Sequence, residues 1–130
     1  MPDSVFTKII KGELPSDKVY EDEKTIAIIP LYPTTKAHVL VIPKIQVDQF
    51  IDLPDEYYMP LMASVKKVAA KIRSVENPKR VGLKIEGTEV PHAHVHVLAF
   101  DTIEEFARTP DTSQPPDLQK NKQMAQKLAF

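Results

Sequence analysis

The chain is 130 residues long, enough for one hydrophobic core and too short for two. Its 42% apolar, 27% charged and 7% aromatic residues are the composition of a globular domain, and 17 Lys and Arg against 18 Asp and Glu leave a net charge of −1, which argues against nucleic acid or an anionic membrane as partner. With no cysteine there is no disulfide, thiolate nucleophile or Cys-type zinc site, and twelve prolines against three glycines leave no Gly-rich phosphate loop.

Ser4 to Gly12 reads as a short helix, with Val5, Phe6, Ile9 and Ile10 near one face. Strands follow at Lys18–Glu21 and Thr25–Ile29 around an Asp22-Glu23-Lys24 turn, ending at Pro30 to Pro33. Ala37 to Ile42 is an unbroken apolar and β-branched run bounded by Pro43, which predicts a strand buried on both faces. From Asp52 to Asn77 the residues Tyr58, Leu61, Met62, Val65, Val68, Ala69 and Ile72 recur at helical spacing. Asp52 is the expected N-cap, Asn77-Pro78 the stop and Pro60 the site of a kink. Arg80–Glu86 and His92–Phe100 read as two further strands. The Pro- and Gln-rich stretch Pro110–Pro116 reads as a surface linker, and Asp117–Phe130 as a helix with a thin stripe of Leu118, Ala125 and Leu128. These elements predict an α+β fold, a five-stranded antiparallel sheet with one long helix packed across it. The domain should cover residues 1–108, with 109–130 a linker and a C-terminal segment packed on the domain or on a partner. No apolar run approaches the roughly 20 residues that span a bilayer. The opening Met1-Pro2-Asp3-Ser4 does not read as a signal peptide, so a cytoplasmic location is expected.

Three of the four histidines stand at His92, His94 and His96, and period-two alternation puts all three rings on one strand face, with Ala93, Val95, Val97 and Ala99 on the other. One histidine on a sheet face is ordinarily structural. Three in a row are costly, because each ring needs its own partner and like charges oppose one another. Two chemistries fit. One is an open metal site built on His-x-His; the other is metal-free phosphoryl transfer, in which one neutral imidazole attacks phosphorus while its neighbours hold the oxygens. Positions i and i+4 of a strand lie about 13 Å apart, which hinders convergence of all three on one ion.

The run His92-Ala93-His94-Val95-His96-Val97-Leu98 resembles the signature of the histidine triad (HIT) superfamily. So, in order and approximate spacing, do the blocks Val5 to Pro15, Val19 to Glu23 and His38 to Lys44. The resemblance covers about residues 4 to 100 and implies a HIT-like fold. It implies that His94 is the nucleophile at the α-phosphorus of a nucleotide, that His96 bonds phosphate oxygens and the departing group, and that His92 buttresses the site. His38 would reach the phosphate from a neighbouring strand, and Phe6, Ile9, Leu14, Ile28 and Leu31 would form the purine slot. Two such domains would pair into a homodimer with one continuous sheet, the C-terminal segment reaching over the partner.

The chain departs from the family at places that matter. Where zinc-containing members carry two cysteines and a further histidine it has Ser4, Thr7 and Gln46, so neither a metal nor a cofactor is expected. Pro30 stands where an Asp contacts the ribose hydroxyls. Thr88 and Glu89 occupy the places near phosphate and leaving group that often hold Gln and Ser. A carboxylate at Glu89 would repel phosphate and favour an amine. The reading is therefore a purine nucleotide hydrolase, foremost a nucleoside phosphoramidase working through a nucleotidyl-histidine. The alternatives are a dinucleoside polyphosphate hydrolase, a nucleotide-binding module of weak catalysis and, most distantly, a metal-dependent hydrolase.

Overall fold

The computed structural model describes residues 2–130. In chain order the elements are α1 (Val5–Ile10), β1 (Asp17–Glu21), β2 (Thr25–Ile29), β3 (His38–Pro43), α2 (Asp55–Glu76), β4 (Arg80–Lys84), β5 (Val95–Phe100), α3 (Ile103–Phe106) and α4 (Leu118–Leu128), with a 3₁₀ turn at Phe50–Asp52. The strands form one antiparallel sheet in the order β1-β2-β3-β5-β4. Every residue of β2 and β3 is buried, as expected of central strands with both faces covered.

One face carries the main core. Ala27 and Ile29 of β2, Val39 and Val41 of β3, and Val95, Val97 and Ala99 of β5 pack against Leu61, Val65, Val68 and Ile72 of α2. That helical set lies at three- and four-residue steps, the single stripe a helix needs to seat on a sheet. Ser64 falls within the buried stripe. Its hydroxyl meets Thr25 Oγ1 at 2.7 Å and donates to Asp22 Oδ2 at 3.2 Å. Partial burial opposes ionisation of Asp22, but hydrogen bonds from Tyr20, Thr25 and the backbone of Lys24 and Thr25 outweigh it and hold the carboxyl at about 2.

The structure corrects several sequence boundaries. α2 begins at Asp55 with Pro54 as N-cap, while Asp52 lies in the preceding 3₁₀ turn. The helix runs unbroken through Pro60. The carbonyl that loses its donor there belongs to Glu56, an exposed residue within reach of water. Asn77 in the left-handed region (φ 46°) ends it. β4 stops at Lys84 and β5 starts at Val95, so His92 and His94 precede the strand and only His96 is within it. The cause is visible in the backbone: the amide of His92 bonds Val90 O at 2.8 Å and that of Ala93 bonds Val47 O at 2.7 Å, outside the sheet ladder. The alternation survives the lost pairing, for Ala93 still joins the α2-side core with Val95, Val97 and Ala99.

α4 also differs from the sequence reading. Ala125 and Leu128 of the expected stripe are buried, but Leu118 is exposed, and Asn121 and Met124 complete the buried face. Met124, Ala125 and Leu128 belong to the α2-side core, so this helix docks on its own chain. The terminus continues the contact: the Phe130 amide bonds Val19 O at 3.0 Å, and its ring stacks on Tyr20 at 4.7 Å. A cleft of about 580 Å³ between the Leu31–Lys36 loop and α4, edged by Thr34, Arg108 and Asn121, contains none of the four histidines.

Candidate active site

The face opposite α2 is built differently. Phe6 of α1 closes a small apolar cluster with Ile26, Ile28, Leu40 and Ile42, flanked by Ile9, Ile10 and Val90. Beside it stand the four histidines: His38 on β3, His96 directly across a strand pair from Leu40, and His92 and His94 on the approach to β5. Phe6 meets His92 edge-on at 5.8 Å and His94 at 4.9 Å between centroids, so an apolar ring braces two polar ones.

Backbone atoms decide where His94, His38 and His92 carry their protons, and His38 decides it for His96. His94 Nδ1 lies 2.8 Å from the His92 carbonyl, which only accepts; Nδ1 therefore bears the hydrogen, and in the neutral tautomer the lone pair is on Nε2. His38 Nδ1 accepts from the Thr34 amide at 3.1 Å, which puts the hydrogen on Nε2, and that nitrogen donates to His96 Nδ1 at 2.9 Å. His96 is thus left with an Nε2–H. This atom is buried and has no hydrogen-bond partner among the described residues. An orphaned buried donor costs free energy comparable to a lost hydrogen bond and marks a place where an acceptor belongs. Two rings 5.0 Å apart therefore present opposite chemistry, a lone pair on His94 and a donor on His96.

This depends on the rings being neutral. Burial, reinforced by His96, Lys84 and His94 nearby, lowers His38 to about 3. Burial and His94 lower His96 to about 4, with Glu86 pulling the other way. Burial also lowers His92, against the opposing effect of its bond to Pro43.

His92 itself is held from the N-terminus. Its Nε2–H donates to Pro43 O at 2.9 Å, so Nδ1 accepts the Ser4 hydroxyl at 2.8 Å. Ser4 is also the N-cap of α1, accepting from the Thr7 amide at 3.0 Å. The Thr7 hydroxyl donates to Gln46 Oε1 at 2.7 Å, and the Ser4 amide donates to the same oxygen at 2.8 Å. Gln46 Nε2 completes the clamp on Pro2 O at 2.9 Å. Ser4, Thr7 and Gln46 stand where a zinc centre was set aside, and neutral hydroxyl and amide groups tie those segments together by hydrogen bonds. Among the described residues no group of three or more His, Cys, Asp or Glu is placed to hold a metal ion.

The structure sorts the remaining expected site residues. His38 is fully engaged at both nitrogens, so it orients His96 and has no free atom for a phosphate. Thr88 is exposed and its hydroxyl donates to Glu86 Oε2 at 2.5 Å. Glu89 is exposed and makes no hydrogen bond or ion pair with a histidine among the described residues. The carboxylate that does approach the triad is Glu86, whose Oε1 lies 3.8 Å from His96 Nε2. Of the expected slot residues, Phe6, Ile9 and Ile28 come together. Leu14 and Leu31 are exposed outside that cluster, and Pro30 is half-buried at the end of β2. Leu31 turns toward the C-terminal helix, where its carbonyl accepts from Asn121 Nδ2 at 3.0 Å.

Comparison with known proteins agrees with this architecture. The HIT domain family model matches residues 11–103. The chain is 37% identical over 101 residues to the protein hit of Bacillus subtilis, covering 72% of this chain and 68% of that one. It is 35% identical over 103 residues to adenosine 5'-monophosphoramidase of Candida albicans, covering 72% and 68%. It is 34% identical over 103 residues to purine nucleoside phosphoramidase of Escherichia coli, covering 74% and 86%. Among solved structures, a member of the HIT family from Bacillus subtilis superposes with a TM-score of 0.76 at 31% identity over 99% of both chains. A sheet of this order with its histidines on the face away from the long helix defines a histidine triad protein, and this chain belongs to the HIT domain family.

Proposed function

We propose that the chain hydrolyses nucleotides at the α-phosphate, with a purine nucleoside phosphoramidate as its substrate. The observation that carries this reading is the pair of opposed tautomers, an unprotonated Nε2 on His94 next to an unpartnered Nε2–H on His96. Relatives named as phosphoramidases support the choice of bond.

In the first step His94 Nε2 bonds to phosphorus and the P–N bond breaks. The electron pair goes to the leaving nitrogen, which takes a proton from solvent and departs as an amine. His96 Nε2–H donates to a non-bridging oxygen, where charge is concentrated in the transition state. The His92 carbonyl holds the Nδ1–H of the cationic nucleotidyl-histidine. Water then attacks phosphorus, its proton passes to solvent and the electron pair returns to His94 Nε2, releasing the nucleoside monophosphate. His96 is neutral and has one proton, so it acts as a donor and keeps it. The purine lies against Phe6, Ile9 and Ile28.

The homodimer belongs to the same proposal. β1 is covered by the C-terminal residues, whereas β4 is the open edge of the sheet, with Leu83 and Ile85 exposed on and just beyond it. Pro30 supports a second reading, a nucleotide-binding module, since no side-chain acceptor for ribose stands at that position. AMP release from an adenosine phosphoramidate by wild type and His94→Ala, in chelator, separates the two. Turnover lost in the variant supports the hydrolase, AMP binding without turnover supports the module, and equal turnover in both overturns the role of His94. Sedimentation of the full chain reads the dimer.

A further inference from the structure

We propose that Glu86 is a specificity residue at this site, reading the leaving group: it favours substrates whose departing amine carries a second, cationic group and disfavours those whose departing group is a phosphate chain. This rests on the hydrolase reading above.

Lys84 is the register partner of His96 on β4, and two residues further on, past the end of the strand, Glu86 reaches the same end of the site. Its Oε1 lies 3.8 Å from His96 Nε2, too far for a hydrogen bond, so neither group satisfies the other. Oε2 is pinned instead by the amide of Thr88 at 3.3 Å and by its hydroxyl. The chain's own loop thus aims one carboxylate oxygen at the triad and holds the other back. The Thr88 bonds keep Glu86 below the ordinary carboxylate value, so it is ionised across the neutral range.

Among the described residues the one ion-pair partner of Glu86 within 4 Å is His96, which is neutral at pH 7. The ammonium of Lys84 makes no ion pair with Glu86: it donates to the Phe106 carbonyl and lies 4.6 Å from the centre of the Phe106 ring, and its charge acts on His38 and His96. α3 is held there because Gly82 leaves room for Phe106, whose ring meets that of Phe100 at 4.7 Å between centroids, tilted by 45°. The site therefore presents a donor from His96 to the phosphoryl oxygens and, beside it, a free negative charge. A second phosphate in the departing group would meet that charge directly, whereas an ammonium would be drawn to it. Thr88 serves by positioning Glu86.

The test uses three substrates that share AMP: its P–N amide of 1,3-diaminopropane, the isosteric amide of butylamine, and diadenosine tetraphosphate. For the full chain, kcat/KM on the diaminopropane amide should exceed that on the butylamide by about fivefold, the scale of a half-exposed ion pair. Glu86→Gln keeps the side chain's shape and its acceptor for Thr88. It should bring that ratio to about one, and Glu86→Lys should invert the ratio and raise activity on the tetraphosphate. A ratio unchanged by Glu86→Gln overturns the proposal, as does an equal loss on both amides, which would mean a structural role. Wild type inactive on all three substrates overturns the hydrolase reading and this inference together.

Discussion

The two faces of the sheet are built on opposite rules. On the α2 face the problem is volume: Val39, Val41, Val97, Val68 and Ile72 are almost wholly removed from water, and what they touch matters more than how they are turned. On the histidine face the problem is orientation. His92 and His38 are as deeply buried as the valines, yet each ring nitrogen answers to a named partner. The first face stores stability; the second arranges protons.

That contrast is open to attack, most strongly at His94. Replacing it with Ala should lower AMP release per folded molecule at least about a thousandfold, because the ring is a reactant. Ile72→Ala should do the reverse. A fully buried isoleucine cut to alanine costs about 2–5 kcal/mol, visible as a lower urea midpoint, with kcat per folded molecule retained. Ser4→Ala lies between, since it removes both the α1 N-cap and the donor to His92. The expected outcome is about 2 kcal/mol of stability and a roughly tenfold fall in kcat, with Ser4→Thr restoring most of both. A Ser4→Ala enzyme with full kcat would show that the clamp serves only the fold.

A further effect is on pH. His38 and His96 titrate at about 3 and 4 in the folded chain, and His92 is lowered too, against an ordinary value of 6.5. Between those values the unfolded chain binds protons that the folded chain does not. Stability is therefore complete above about pH 6.5 and falls as pH drops toward 4 and 3, at about 1.4 kcal/mol per pH unit for each ring in its window. Denaturant midpoints measured from pH 7 to 4 check the sign, and His38→Gln should flatten the curve.

The contrast also explains what the sequence could reveal. Apolar periodicity announces volume, so α2, β2 and β3 were legible from Leu61, Val65 and Val68 and from the run Val39 to Ile42. The triad was legible as a motif, and its shared face followed from alternation. Its geometry was not: β5 begins only at Val95 because the amides of His92 and Ala93 turn to Val90 and Val47, contacts that leave no trace in side-chain pattern. The same limit hid the clamp. Ser4, Thr7 and Gln46 could be named as absent zinc ligands, but their joining required a helix cap and a loop 39 to 42 residues away to meet. Glu89 drew attention by its position next to the triad, whereas the fold delivers Glu86. The bonds from Thr88 to Oε2 decide how Glu86 is aimed, and side-chain pattern does not announce them.

The anchors that set the histidine tautomers have a genetic consequence. The His92 and Pro43 carbonyls are main-chain atoms that every amino acid supplies, and the Thr34 amide is one that every residue but proline supplies. Almost no single codon change can delete them. His96 alone takes its tautomer from a side chain, His38. The lone pair of the nucleophile is thus inherited with the backbone, and it can be offered to new leaving groups without being rebuilt.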